Sequence, residues 1–216
     1  IKLASMGSFG IRGVIEGFYG KPWTHDERID MLNFLAKTGL NTYFLAPKDE
    51  PGHRRSWQEL RPSPEIAKLS QLVSHAQSKG IVFGTAVSPG QTITYSSATE
   101  LDALKGRLKQ YLDIGINLVG VFLDDIPNDF QSEEDAKEFG SFAQAHAWLG
   151  NQLFDWLCAE YPAAQLVVCP TVYRGTGHED YLLEIGKLLN SKVHLLWTGL
   201  QICSYRLDVR DALIFE

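Results

Sequence analysis

The sequence predicts an α/β fold built on a parallel sheet, and three observations carry that expectation. Short β-rich apolar runs alternate strictly with amphipathic helical segments. Most of the runs are apolar on successive residues, as suits strands covered on both faces. Glycines stand where the helical segments end, at Gly39, Gly80 and Gly115. Such alternation implies right-handed crossovers. Two architectures satisfy it, an open doubly wound sheet and a (β/α)8 barrel. The first loop lacks the Gly-x-Gly-x-x-Gly turn that would favour dinucleotide binding. About six βα units are legible, whereas a complete barrel takes eight.

In order, the apolar runs are Gly13–Glu16, Asn41–Ala46, Ile81–Val87, Leu118–Leu123, Gln165–Cys169 and Val193–Trp197. Between the first two, Thr24-His25-Asp26-Glu27 reads as a capping box ahead of Ile29, Leu32 and Leu35. Ser63-Pro64 reads as a cap and a first-turn proline before Ile66, Leu69, Leu72 and Ala76. A second capping box, Ser97 to Glu100, opens the stripe Leu101, Leu104, Leu108 and Leu112. Phe142, His146, Leu149, Leu153 and Leu157 mark a longer helix, and Tyr181, Ile185, Leu188 and Leu189 a fifth. The opening Ile1–Ser8 reads as an expression-vector remnant, so the expected domain is 9–216, either an open sheet or a barrel that stops before it closes.

Composition narrows the function. The 216 residues carry 20 Lys+Arg against 26 Asp+Glu, a formal charge of −6. A mildly acidic chain is poorly suited to a nucleic-acid backbone. No apolar run approaches the roughly 20 residues needed to cross a bilayer. Neither a nucleic acid nor a membrane is therefore an expected partner. Three cysteines give no disulfide framework and no C-x-x-C zinc spacing, and a reducing compartment such as the cytoplasm is favoured over an oxidising one. The six histidines fall in no metal-binding spacing, and no cofactor is expected.

Parallel α/β folds bind ligands at the carboxyl ends of their strands. Those ends carry Gly17-Phe18-Tyr19, Lys48-Asp49-Glu50, Ser88, Asp124-Asp125, Thr171-Val172-Tyr173 and Thr198-Gly199. The sharpest feature is Asp124-Asp125, where a buried run meets two carboxylates. Two like charges side by side resist joint ionisation, which separates a proton donor from a standing anion. Adjacent strand residues point to opposite faces. Both acids can serve one site only if the strand ends or bulges there, and Pro127 supports an ending. The competing reading is a helix cap or a solvated turn. Lys48 would hold a substrate hydroxyl or temper a carboxylate, Tyr173 would donate to a ligand oxygen, and Gly17 would admit close backbone approach. His53-Arg54-Arg55 reads as a solvated charge run. Trp148 and Trp156 read as core packing, and a metal site built on Asp124, Asp125 and Glu16 remains open.

Five segments in register resemble one family. They are Gly13-Val-Ile-Glu-Gly-Phe-Tyr-Gly-Lys-Pro-Trp23, Asn41-Thr-Tyr-Phe-Leu-Ala-Pro-Lys-Asp-Glu-Pro51, Phe122-Leu-Asp-Asp-Ile126, Cys169-Pro-Thr-Val-Tyr-Arg-Gly175 and Leu196-Trp-Thr-Gly199. Together they resemble the O-GlcNAcase family, glycoside hydrolase family 84. The resemblance implies a (β/α)8 barrel that removes β-linked N-acetylglucosamine from Ser or Thr with retention. It implies that the substrate's own acetamido oxygen attacks the anomeric carbon to form an oxazoline. By resemblance, Asp124 orients and polarises the acetamido N–H, and Asp125 is the general acid and then the base. Tyr173 holds the acetamido oxygen, and Gly17 (through its backbone) and Lys48 contact sugar hydroxyls. No motif matches the family's seventh and eighth loops, so the expected partners are a GlcNAc-bearing protein or glycan and the remainder of the same protein. Two rivals stay open, a non-catalytic GlcNAc-binding module and a metal-dependent hydrolase using the Asp pair.

Overall fold

The computed structural model describes residues 9–127 and 129–215. The Ile1–Ser8 segment read as a vector remnant lies outside them. Six strands, β1 (Gly13–Glu16), β2 (Thr42–Leu45), β3 (Val82–Val87), β4 (Leu118–Phe122), β5 (Gln165–Cys169) and β6 (His194–Leu195), form one parallel sheet in sequential order. Strand order decides between the two architectures. A doubly wound sheet reverses direction at a switch point, whereas this sheet runs from β1 to β6 without reversal. The result is part of a (β/α) barrel, open between β1 and β6.

Among the described residues seven helices accompany the strands: α1 (His25–Thr38), α2 (Ser63–Ser78), α3 (Ala98–Leu112), α4 (Glu133–Glu138), α5 (Phe142–Glu160), α6 (Asp180–Leu188) and α7 (Val209–Phe215). The Thr24 capping box forms in full. The second box is only half made. Ser97 Oγ caps Glu100 N, but the Glu100 carboxylate accepts from Thr94 N instead of reaching back to its own cap. Ser63 is not a cap either. Pro62 takes the cap position with no side-chain bond, which leaves Pro64 in the first turn. Gly39 is a left-handed C-cap, while Gly80 and Gly115 are left-handed just past their helix ends. The acidic α4 and the terminal α7, six and seven residues long, escaped the sequence reading. Neither is long enough to show two turns of apolar period.

Strand alternation splits the core into two layers. Tyr43, Leu45, Phe83, Val87, Val119, Val121, Leu123, Leu166 and Val168 face the helices and join Leu32, Leu35, Leu72, Leu104, Leu108 and Leu153 in one large cluster. Trp23, Trp148 and Trp156 pack against it, in accord with the core reading of the last two. Phe44, Ala46, Ala86, Leu118, Phe122, Val167 and Cys169 face inward and form a small second cluster. Phe44 and Phe122 stack there at 5.4 Å. Gly84 makes that possible, because a Cβ at Gly84 would lie 2.6 Å from the Phe44 ring. At the open edge Ile15 is 47% exposed.

Candidate active site

The long segment between β2 and α2 is loop by pattern, yet much of it is buried. Arg107 of α3 is fully buried and donates to the carbonyls of Gly52 (2.8 Å) and Glu59. Trp57 is fully buried and donates from Nε1 to Thr92 Oγ1 at 2.9 Å. Arg61 pairs with Glu50, which lowers the Glu50 carboxyl from its ordinary value against the opposing effect of burial. A buried guanidinium bonded to two carbonyls holds a loop far better than a solvated one. That scaffold carries Lys48, His53 and Arg54 at the carboxyl end of the sheet.

Alternation through β4 puts Leu118, Gly120 and Phe122 inward and Val119, Val121 and Leu123 outward. Asp124 continues the inward series. It is 7% exposed, and Lys48 Nζ donates to its Oδ2. Its Oδ1 is buried without a partner among the described residues. Asp125 would by parity turn outward. Instead it adopts φ +52°, the one non-glycine residue with positive φ among those described. L-residues visit that region at a cost, and here it turns the second carboxylate to the same rim. Tyr19 Oη donates to Asp125 Oδ2 at 2.8 Å. The geometric objection raised by two adjacent acids in a strand is thereby removed.

Tyr173 follows β5 and packs partly buried on the inner cluster. Burial, then the charges of Asp125 and Asp124, raise its phenol above the ordinary value, which places both acids near it. Its carbonyl accepts from Thr198 N at 2.8 Å, tying the β5 and β6 ends. Thr171 Oγ1 donates to Leu123 O at 2.7 Å and so ties the β5 loop to the residue before Asp124. Asp125, Ile126, Thr171 and Tyr173 line a cleft of about 250 Å³. A larger cleft near 790 Å³ lies on the outside between α5 and α6, lined by Trp148, Leu183 and Lys187, and holds none of the rim residues. Gly17 follows β1 half-buried, and a Cβ there would meet only Ile15 Cγ2 at 3.2 Å.

Two expectations need correction. Glu16, the third acid of the metal reading, is fully buried on the helix side. It accepts two bonds from Arg28, at 2.8 and 2.9 Å, one from Trp23 N at 3.1 Å and one from Tyr43. Parity put it there, since β1 is four residues long and Glu16 alternates with inward-facing Ile15. Among the described residues no group of three His, Cys, Asp or Glu side chains converges as a metal site would require. The His53-Arg54-Arg55 run is likewise not a solvated face. His53 and Arg54 are buried, and only Arg55 is exposed. Burial lowers His53 to about 4, so it stays neutral. Its Nδ1–H donates to Ala86 O at 3.0 Å.

The chain matches a family model described as β-N-acetylglucosaminidase over residues 12–216. The chain belongs to the β-N-acetylglucosaminidase family. It is 35% identical to the Protein O-GlcNAcase of Rattus norvegicus over 205 residues, and equally so to that of Mus musculus. Each alignment covers 92% of this chain and 22% of the relative, so the chain spans about a fifth of these curated relatives. Among solved structures, a mutant of the Thermobaculum terrenum O-GlcNAc hydrolase superposes with a TM-score of 0.93 at 35% identity. That match covers 96% of this chain and 45% of the solved one. Membership agrees with the fold read above, a β-N-acetylglucosaminidase barrel seen over six of its units.

Proposed function

We propose that the protein carrying this chain is a retaining β-N-acetylglucosaminidase that removes O-linked GlcNAc from Ser or Thr of glycoproteins by substrate-assisted catalysis. The observation that carries the reading is the unpartnered Asp124 Oδ1. It is a buried acceptor at the rim, beside an acid turned to the same side. A 2-acetamido N–H would satisfy it. In the first step the acetamido oxygen bonds to the anomeric carbon as the bond to the leaving oxygen breaks. Asp125 gives its proton to that oxygen, while Asp124 offsets the positive charge growing on the amide nitrogen. In the second, water bonds to the anomeric carbon, Asp125 takes its proton, and the oxazoline opens to restore the amide. Tyr173 steadies the acetamido oxygen, and orientation of an internal nucleophile supplies much of the rate. Lys48 pairs directly with Asp124 and, with the Gly17 backbone, faces the sugar hydroxyls. Further chain completes the barrel against the open β1 and β6 edges, whose exposed Ile15 calls for cover.

Asp125→Asn in the longest natural form of the protein tests the roles, with aryl N-acetylglucosaminides of good and poor leaving ability and with and without chelator. The poor leaving group should lose roughly 10²–10⁴-fold in kcat and the good one far less. Chelator should change nothing. Equal losses, or chelator-sensitive turnover, would reject the assignment.

A further inference from the structure

The Asp125 carboxylate is held by residues that the reaction scheme above leaves idle. Arg54 is 6% exposed and reaches from the β2 loop. Its Nη1–H donates to Tyr19 Oη at 2.9 Å, and its Nη2–H donates to the Asp125 carbonyl at 2.8 Å. Tyr19, from the β1 loop, donates in turn to Asp125 Oδ2. The guanidinium carbon also lies 5.9 Å from the centre of the Tyr19 ring. Three loops, after β1, β2 and β4, thus close one ring of contacts around a single acid.

We infer that Arg54 and Tyr19 are positioning residues that lock Asp125 in its left-handed conformation and designate Oδ1 as the oxygen that delivers the proton. The inference rests on Asp125 being the general acid. Proton counting assigns the oxygens. A guanidinium only donates, and a phenol has one proton. Because Tyr19 Oη accepts from Arg54, its own proton goes to Asp125 Oδ2. That oxygen is occupied as an acceptor, so the transferable proton resides on Oδ1. Burial, then the hydrogen bond to Asp125, raises the Tyr19 phenol from its ordinary value, which keeps it a donor at neutral pH.

The carbonyl contact does a second job. At φ +52° Asp125 sits in a region that an L-residue leaves unless its surroundings prevent it. Relaxation to an extended conformation would restore strand parity and swing the carboxylate toward the helices. Arg54 grips the carbonyl on one side of the peptide while Tyr19 grips the side chain on the other. Lysine has charge but no planar fork to span both sites.

Arg54→Lys and Tyr19→Phe in the longest natural form, beside Asp125→Asn, test this with the same pair of aryl substrates. Tyr19 is exposed, so its phenylalanine variant keeps the fold. Each clamp variant should lower kcat for the poor leaving group by about tenfold or more, lower it for the good one by less than about threefold, and leave KM within about twofold. The double variant should fall no further than the worse single, since the two act as a unit. If Asp125→Asn discriminates between leaving groups and neither clamp variant does, the clamp is wrong and the acid assignment stands. If Asp125→Asn itself fails to discriminate, the acid assignment falls and the clamp with it.

Discussion

Two ends of the same sheet are built to different standards. At the β2–β4 rim, charged side chains are buried and cross-tied: Lys48 to Asp124, Arg54 to Tyr19 and Asp125, Arg107 to the loop carbonyls beneath them. At the β6–α7 end, strand and helix are short and the apolar residues lie open. Tyr205, Leu207, Val209 and Leu213 are all exposed, and the ion pair Arg206–Asp208 is solvated. Burying charges costs stability unless they are paired, and on the proposed function the rim's pairs serve its chemistry. The far end is held by contacts that water can replace.

The largest break in that comparison should come from Lys48→Met. It leaves the Asp124 carboxylate buried without its cation, and equilibrium denaturation should register a loss of about 3–5 kcal/mol. The matched change at the other end, Arg206→Ala, should cost about 0–1 kcal/mol. Comparable losses would erase the contrast.

A second effect appears with pH. His146 is buried between Tyr95 Oη and Tyr181 Oη, each 2.8 Å away, and burial lowers it to about 3. His53 is lowered to about 4 for the same first reason. The unfolded chain takes up these protons near the ordinary value of 6.5, whereas the folded chain does so only near 3 and 4. The unfolded state therefore binds more protons in that window. The stability is present in full above pH 6.5 and is lost as pH falls toward 3, by up to about 1.4 kcal/mol per pH unit for each histidine. His146→Gln should flatten the acid limb of a Tm-against-pH curve, and an unchanged limb would contradict the burial account.

A further small effect belongs to the far end. Phe215 stacks on Trp197 at 4.8 Å. Phe215→Leu should cost about 0.5–1.5 kcal/mol, the worth of an aromatic pair beyond its area, as read by thermal denaturation. A loss near that of Lys48→Met would show that α7 is integral to the core.

Most of the scaffold was legible in the sequence because it depends on local pattern. All six apolar runs became strands: Gly13–Glu16 and Gln165–Cys169 matched in full, three others lost one residue at one or both ends, and Val193–Trp197 shrank to His194–Leu195. The Asp124-Asp125 pair stood out because it interrupts an apolar run, and Pro127 marked the strand's end. Arg54 did not stand out. Its burial is set by Asp125, 71 residues away, and by Tyr19, 35 residues away, and neither enters a local reading of a charge run. The one available signal was that Arg54 shares a loop with Lys48 and Tyr19 shares a rim position with both. Glu16 misled for a related reason. Only strand parity, fixed once β1 pairs with β2, tells inside from outside.

The central claim is that the substrate's own amide performs the displacement while Asp125 moves the protons and Asp124 offsets the charge on the amide nitrogen. Rates on aryl N-acetylglucosaminides whose acetamido methyl carries none, one, two or three fluorines test it directly. Fluorine withdraws electrons from the carbonyl oxygen, so kcat/KM should fall steeply and monotonically along the series. A rate indifferent to fluorination would mean that some other group attacks the anomeric carbon, and the account would fail.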